Sequence, residues 1–378
     1  MNRPVLIHGL LLGAAMVAAY FVWTRESTTK EDEIPILSLR GGLDRVVYSA
    51  PERTVEIERK RDGDGTYHWI KVQTEEQKPE PTPPTPPVAA PDAGPASAPA
   101  KPGEKKVATA DAGAPKPDAA RPRPRMIKLT KNQAFKGNQS ADEMVKGMAS
   151  LAAIRSLGTV EKDRLKAFGL DESKKTLSLV TGSTPRTFII GSNTFGNRDV
   201  YLQDKQDGRV YVVRPRLLED LQYAEFRLVD RNLYGFTPSD VEQATLVAGR
   251  QRKVLRQENR RTPASAFWAD AASPQKKKEF YRNFMGKLLR LQATEYVLPR
   301  EQTAKKTTEV LSVECQLAGG KQESMKLMES TPPMANMPVN VAQKKEYFAI
   351  STNTRKLVKI DARLAEEIVR EVENLMKE

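Results

Sequence analysis

Four short strand-like segments, separated by residues that favour turns, constrain the fold of this chain more than any other feature. They lie at residues 176–180, 187–190, 200–203 and 209–214. Between them stand Gly182-Ser183-Thr184-Pro185, Gly191-Ser192-Asn193 and Asp207-Gly208. Glycine, proline, asparagine and aspartate in such runs reverse the chain between strands. The spacing predicts paired strands followed by a short helix.

The chain from Pro238 onward repeats this plan in outline. Strand patterns at 241–247 and 253–257 precede a helix that begins at Pro274, and a last helix follows Asp361. The corresponding helix of the first part is predicted at 141–157, with Ser140 and Glu143 as its capping box. The predicted fold class is α+β, with an N-terminal transmembrane helix and two tandem repeats of a strand–helix–strand-pair unit. The predicted domains are a membrane anchor at 1–25, a first unit at 34–235 and a second unit at 236–378.

The N-terminus contains an apolar run at residues 5–23, VLIHGLLLGAAMVAAYFVW. A helix of nineteen residues is about 28 Å long, close to the thickness of the hydrocarbon layer of a bilayer. An uncleaved membrane anchor is the preferred interpretation. A cleaved signal peptide is the alternative, because alanine pairs within the run supply small residues. Gly9 and Gly13 form a G-x-x-x-G pair that would allow close packing against a partner helix.

A proline-rich segment interrupts the first unit at residues 74–125. It holds fourteen of the 26 prolines and almost no large apolar side chain, so it cannot form a core. We expect a disordered insertion within one domain, because the strand pattern that stops near Val72 resumes at 126–129. A disordered linker between two domains is the alternative interpretation.

The formal net charge of +13 raises the question of an anionic partner. The cations are spread along the chain with two local concentrations, and neither has the interleaved aromatic residues of a nucleic-acid motif. No nucleic-acid partner is predicted. A solvated basic face is the default interpretation, and attraction to an anionic polymer or lipid is the alternative. The candidate residues of this basic patch are Arg250, Arg252, Lys253, Arg256, Arg260, Arg261, Lys276, Lys277 and Lys278.

The remaining side-chain chemistry points away from catalysis. Cys315 is the single cysteine, which excludes an internal disulfide, and it lies on the apolar side of an alternating strand, which indicates a buried thiol. His8 lies in the apolar N-terminal run and His68 in a predicted strand, so the two cannot build a zinc site. No residue pattern identifies a catalytic pair, a cofactor, a metal or a small-molecule substrate, so the predicted protein is not an enzyme.

Several short motifs resemble a known family. Lys166-Ala-Phe-Gly-Leu-Asp171, Ile189-Ile190-Gly191 with Gly196, Asp199-Val200-Tyr201, and Val210-Tyr211-Val212-Val213 are similar to its turn and strand signatures. Residues 226–235 resemble the linker that leads into its next repeat. The family is the domain-of-unknown-function family 4340. The similarity extends over residues 34–297 without the proline-rich segment, and more weakly beyond.

The resemblance implies a cellular setting, because that family is known for bacterial membrane-anchored proteins encoded beside ABC-2-type and gliding-type transporter subunits. It implies a non-enzymatic, membrane-anchored periplasmic accessory or scaffold subunit of an ABC-type transport or gliding-type export complex. The implied partners are a permease with its ATPase, together with membrane lipid. The implied location is the bacterial inner membrane, with a single span and the bulk of the chain periplasmic. The alternative function is a periplasmic binding module for an anionic glycan or lipid head group.

Overall fold

Antiparallel β-structure dominates the protein. The computed structural model describes residue 16 and residues 33–79, 126–196, 198–302, 306–330 and 345–377. Of these residues 45% lie in strands and 22% in helices, and the strands form three antiparallel sheets. The α+β class predicted from the sequence is therefore wrong. The prediction missed short strands whose sequences carry no alternating pattern, so helices received too much weight.

The first large sheet uses nine of the described strands. They are β2 (Arg45–Ala50), β3 (Arg53–Asp62), β4 (Gly65–Pro79), β5 (Met126–Lys136), β7 (Arg155–Gly158), β8 (Thr176–Thr181), β9 (Thr184–Asn193), β10 (Val200–Asp204) and β11 (Val210–Val213). Their spatial order is β5-β4-β3-β2-β8-β9-β10-β11-β7. Two further short strands, β1 (Ile34–Pro35) and β6 (Ala152–Ala153), pair with each other. The four strand segments predicted at 176–214 are thus confirmed, each within three residues of its predicted ends.

The second large sheet has eight described strands. They are β12 (Val241–Ala248), β13 (Gln251–Glu258), β14 (Phe267–Asp270), β15 (Ala293–Tyr296), β16 (Thr308–Leu317), β17 (Gln322–Ser330), β18 (Glu346–Ser351) and β19 (Val358–Ile360). Their order is β14-β13-β12-β16-β17-β18-β19-β15. In the first sheet the four-strand meander β2–β5 lies beside the four-strand meander β8–β11, and β7 closes the far edge. In the second sheet the three-strand meander β12–β14 lies beside the four-strand meander β16–β19, and β15 closes the far edge. The described strands thus form meanders of three or four strands where the sequence predicted strand pairs.

Seven short or medium helices accompany the sheets in the part of the chain that the structure describes. They are α1 (Gln139–Ala149), α2 (Lys162–Ala167), α3 (Arg216–Gln222), α4 (Ala224–Arg227), α5 (Glu279–Leu288), α6 (Pro299–Gln302) and α7 (Ala362–Lys377), in addition to a 3₁₀ turn at Pro238–Asp240. Helix α1 is shorter than the predicted 141–157, because Ala152–Ala153 and Arg155–Gly158 are strands. Its N-cap is Asn138, whose side chain accepts a hydrogen bond from the Ala141 N–H at 3.1 Å, so the predicted capping box at Ser140 is wrong.

The residues outside the proline-rich segment form one compact unit, 1–73 with 132–378, and residues 74–131 form another. The described part of the smaller unit consists of the end of β4 and the start of β5. Residues 74–79 therefore continue strand β4, where the sequence predicted the start of a disordered insertion. A strand whose two faces are exposed to solvent needs no apolar residues. Residues 80–125 lie outside the described residues. The domain boundary predicted at 235–236 stays a prediction.

Within the larger unit, one apolar core draws residues from both large sheets. Tyr281, Phe188, Phe284 and Phe348 are among its largest fully buried side chains. No described helix is both long enough and apolar enough to cross a membrane. The anchor predicted at 1–25, including Gly9 and Gly13, lies outside the described residues apart from Met16.

Candidate interaction groove

Helix α1 forms one wall of a groove. Ala141, Met144, Val145 and Met148 face the core, which fixes the rotation of the helix. Ser140, Glu143, Met144 and Gly147 recur at the spacing that aligns side chains along one side of a helix, and all four line the groove. At Gly147 this wall has no side chain. A Cβ atom built there would lie 3.4 Å from Leu217 Cδ2, which is ordinary contact.

Helices α3 and α4 form the opposite wall. Leu218 and Leu221 bury one side of α3, while Leu217 and Asp220 line the groove. Tyr223 has φ −123° and ψ 33°, so it breaks the helix, and the chain resumes as α4 for one turn. Arg227 at the end of α4 completes this wall.

The groove has an apolar floor and a charged rim. Its volume is about 710 Å³, and the apolar part is formed by Met144, Ala152, Ile154 and Leu217. Two exposed apolar side chains belong to this surface: Ile154, which lines the groove, is 40% exposed, and Tyr223, whose ring contacts Arg227 of the rim, is 52% exposed. Contiguous exposed apolar surface with a polar rim is typical of sites that bind other macromolecules.

Three arginines and three carboxylates form the charged rim: Arg214, Arg216, Arg227, Glu33, Glu143 and Asp220. Arg214 pairs with Glu33 at 3.2 Å, and Arg227 donates to Asp220 Oδ1 at 2.9 Å while its guanidinium lies 5.5 Å from the Tyr223 ring centre. Arg216 is exposed and has no ion pair in the part of the chain that the structure describes. An apolar floor with such a rim suits an amphipathic helix, which lays its apolar side into a groove and its charges along the edge.

A second cavity, about 850 Å³, lies against α5. Two of the cations that line it are neutralised within the protein. Arg260 pairs with Glu242, and Lys287 pairs with Glu371 at 2.5 Å. Charge pairing does not distinguish the two sites, because Arg214 and Arg227 of the first groove also pair with carboxylates. We assign the interaction role to the groove at α1 and α3 because Ile154, an exposed apolar side chain, lines it.

Polar contacts join the two halves of the larger unit at β5 and the β18–β19 turn. Lys136 Nζ donates to Asp230 Oδ2 at 2.8 Å and to Asn353 Oδ1 at 2.7 Å, and Asn353 Nδ2 donates to Asp230 Oδ2 at 3.1 Å. Tyr296 OH donates to the Asp230 carbonyl at 2.8 Å, and its burial raises the pKa of that hydroxyl. Because each buried charge has several partners, this cluster is structural.

A second contact between the halves centres on Arg355. It pairs with Asp62 at 3.1 Å and with Asp64 at 2.5 Å in the β3–β4 turn, and its guanidinium lies 5.4 Å from the Tyr67 ring centre. Arg355 has φ 62°, a left-handed conformation that side chains other than glycine adopt rarely. The strained turn holds the arginine against the first half.

The structure places the residues of the predicted basic patch in several environments. Lys253 pairs with Asp270 at 2.7 Å, and Arg256 pairs with Glu258 at 3.3 Å. Lys253 and Lys278 come together over the Tyr281 ring, at 5.7 and 5.2 Å from its centre. The exposed members without an ion pair among the described residues are Arg250, Arg252, Arg261, Lys276 and Lys277. Three of the nine predicted residues, Lys253, Arg256 and Arg260, are therefore charge-paired, and the role of the patch in binding stays a prediction.

Cys315 is 1% exposed, which confirms the buried thiol predicted from the sequence. Burial raises the pKa of Cys315 to about 12, so the reactive thiolate is scarce at neutral pH. His68 Nδ1 lies 2.6 Å from Asp142 Oδ1, which links β4 to α1. Among the described residues no group of three or more metal-binding side chains occurs.

Sequence reasoning missed the residues of the groove, chiefly Gly147, Arg214, Arg216, Leu217 and Arg227. They come from segments more than sixty positions apart, and no local pattern marks them. The early end of α1, which leaves 150–154 free to line the groove, is not marked in the sequence either.

One comparison with known proteins gives a match. Residues 128–311 match the sequence model of a family described as Domain of unknown function (DUF4340). The matched region is just under half of the chain and supports the family resemblance seen in the motifs. It begins well after the predicted start at 34 and continues past the predicted limit of 297. No curated protein and no solved structure matches the chain.

Proposed function

We propose that this protein is a non-enzymatic, membrane-anchored accessory or scaffold subunit of an ABC-type transport or gliding-type export complex. It would reside in the bacterial inner membrane with the bulk of the chain in the periplasm. The observation that carries the proposal is the groove between α1 and α3, with its apolar floor and charged rim. The family match supports the same setting, since the resembling family accompanies such transporters.

The position of the groove fits a membrane-embedded partner. Glu33, which pairs with Arg214 on the rim, follows Trp23 by ten positions. Ten residues reach at most about 35 Å when fully extended. If residues 1–25 anchor the chain, the groove therefore lies within that distance of the bilayer surface. The occupant we propose is an amphipathic juxtamembrane helix of the permease, with its apolar side on Met144 and Leu217 and its acidic residues at Arg216.

Filling the groove tests the proposal. Gly147→Trp places a large side chain over Leu217, whereas Gly147→Ala adds one methyl group at a distance that Leu217 tolerates. Both changes replace a glycine inside α1. In the Ala variant this replacement should raise the free energy of unfolding by roughly 0.5–1 kcal/mol. The full-length protein, solubilised at its natural level, should bring down a permease and an ATPase. The Ala variant should retain them, and the Trp variant should lose at least about 90% of them, a tenfold change that corresponds to 1.4 kcal/mol.

Equal recovery by the two variants would exclude the groove as the interface. If the unaltered protein brings down no membrane protein at all, the scaffold function itself is contradicted. Thermal unfolding of both variants separates a blocked groove from a misfolded protein.

The alternative function is a binding module for an anionic glycan or lipid head group. The exposed cations Arg250 and Arg252 favour it, because no described carboxylate pairs with them. We expect such binding to be strongest at low salt and to weaken steeply as screening increases. If the full-length protein does not bind acidic polysaccharide at low salt, this function is excluded. If the Arg250→Glu, Arg252→Glu double variant binds the polysaccharide as well as the unaltered protein does, the patch is excluded as the binding site.

A further inference from the structure

One end of the first sheet exposes apolar side chains beside arginines. The tip of the β9–β10 hairpin carries Phe195, whose side chain is fully exposed. Ile34 and Ile154 are each 40% exposed. A lone exposed apolar residue is ordinary, but a fully exposed phenylalanine at a hairpin tip needs a partner surface or remains in water at a free-energy cost.

Strand pairing places these residues at the same end of the sheet. Val200 pairs with both Asn193 and Val213, so the β9–β10 tip lies beside the end of β11. The Ile154 N–H donates to the Val212 carbonyl at 2.9 Å, and Ile34 pairs with Ala153. The hairpin tip, the end of β11 and the two short strands β1 and β6 therefore meet at one edge.

The charged residues of this edge are mainly arginines. Arg198 follows the hairpin tip, Arg214 follows β11, and Arg155 begins β7 beside Val212. All three are exposed, and Glu33 is the only carboxylate that pairs with any of them among the described residues. Arginine forms bidentate hydrogen bonds with phosphate, so this composition suits a phosphate-bearing surface.

We propose that this edge rests on an anionic lipid bilayer, with Phe195 inserted among the acyl-chain ends and Arg155, Arg198 and Arg214 against lipid phosphates. A bilayer fits better than a protein pocket because the hairpin tip protrudes: a Cβ built at Gly196 meets no atom within 4 Å. Interfacial segments bind membranes through exposed apolar residues flanked by cations. The inference rests on the membrane anchor of the proposed function, whose short connection brings Glu33 to this edge.

A lipid-quenching experiment tests the contact without any partner protein. Full-length protein carrying Phe195→Cys is labelled with bimane, a fluorophore sensitive to polarity, and inserted into nanodiscs of phosphatidylcholine with or without phosphatidylglycerol. Cys315 is buried, so it does not compete for the label in the folded protein. The matched control is Ile350→Cys, an exposed apolar position on β18 of the second sheet.

Lipids carrying a quencher on the acyl chain should reduce the fluorescence at position 195 several-fold more than at position 350. The difference should grow with phosphatidylglycerol and shrink in the Arg198→Gln, Arg214→Gln background. Equal quenching at the two positions, in protein that co-elutes with the discs, would overturn the bilayer contact and leave the scaffold function standing. Protein that elutes apart from the discs would contradict the membrane anchor, and the bilayer contact with it.

Discussion

The two halves of the larger unit share a strand layout and differ in the helix that follows the last strand. In the first half α3 has seven residues, of which two are buried, and Tyr223 interrupts it before α4. In the second half α7 has sixteen residues and buries Ala365, Ile368, Val372 and Leu375. A helix of sixteen residues is about 24 Å long, against about 10 Å for seven. The same sheet plan is thus covered by one long helix in one half and by two short helices in the other.

The contacts between the paired helices show the same difference. Lys287 of α5 forms ion pairs with Glu371 at 2.5 Å and Glu367 at 3.6 Å of α7, so side chains bridge that helix pair. The equivalent helices of the first half meet at Gly147 and Leu217, where one partner has no side chain. The comparison teaches that the length of one helix and the size of one residue decide whether side chains bridge the paired helices, although both halves keep a cavity, of about 710 Å³ in the first and 850 Å³ in the second.

The largest expected effect comes from disrupting the ion pair between Lys136 and Asp230, which joins the two halves. Asp230→Ala leaves Lys136 buried without its carboxylate, and such a change destabilises a protein by roughly 3–5 kcal/mol. The double variant Lys136→Met, Asp230→Ala removes both charges and should lose much less than the single variants Asp230→Ala and Lys136→Met added together. Urea unfolding of the detergent-solubilised full-length protein measures the free energies of the unaltered protein and the three variants. A double variant as unstable as the sum of its single changes would show that the two residues do not act as a pair.

The second prediction sharpens the comparison of the helices directly. Ile368→Ala in α7 empties a fully buried site and should lower the free energy of unfolding by about 2–4 kcal/mol. Leu217→Ala in α3 truncates a side chain on the groove wall that is only partly buried, so the loss should stay below about 1 kcal/mol. The same unfolding measurement checks both. Equal losses would mean that α3 is as much a part of the core as α7 and that the groove is packed shut.

Local sequence patterns predicted the strands of the first half well and the fold class badly. Apolar and polar residues alternate within residues 176–214, and glycine and asparagine separate the segments, so the sequence indicates each strand. Strand β7 reads RSLG and β15 reads ATEY, and neither has a period that distinguishes a strand from a loop. These strands form only because a neighbour offers backbone partners, which is a tertiary effect. The α+β prediction failed at such positions.

The burial of Cys315 could be predicted because Leu311, Val313, Cys315 and Leu317 alternate along one strand, and all four are buried. The groove could not be predicted, because it requires the end of α1 and the break at Tyr223 to be known. Its arginines also look like any other surface cations until the fold places them around Met144 and Leu217. Patterning reports which side of an element is buried, whereas a site between elements depends on how they pack.

The smallest expected effect concerns acid stability and compares one carboxylate from each half. Hydrogen bonds from Lys60 and Lys71 lower the pKa of Glu58 in the first sheet from 4.5 to about 2. In the second sheet the hydrogen bond from Lys253 lowers the pKa of Asp270. A carboxylate whose pKa is lowered by folding adds stability above its unfolded pKa, and that contribution disappears as the pH falls through the folded pKa.

We therefore expect the free energy of unfolding to fall between about pH 4.5 and pH 2. Glu58→Gln should flatten that fall by no more than about 1 kcal/mol, because Lys60 and Lys71 are half exposed and solvent screens the pairs. Asp270→Asn should flatten it as well, because the hydrogen bond from Lys253, which is only 15% exposed, stabilises the charged form of Asp270. Urea unfolding across this pH range measures both slopes. A steeper fall in either variant than in the unaltered protein would contradict the sign of the shift.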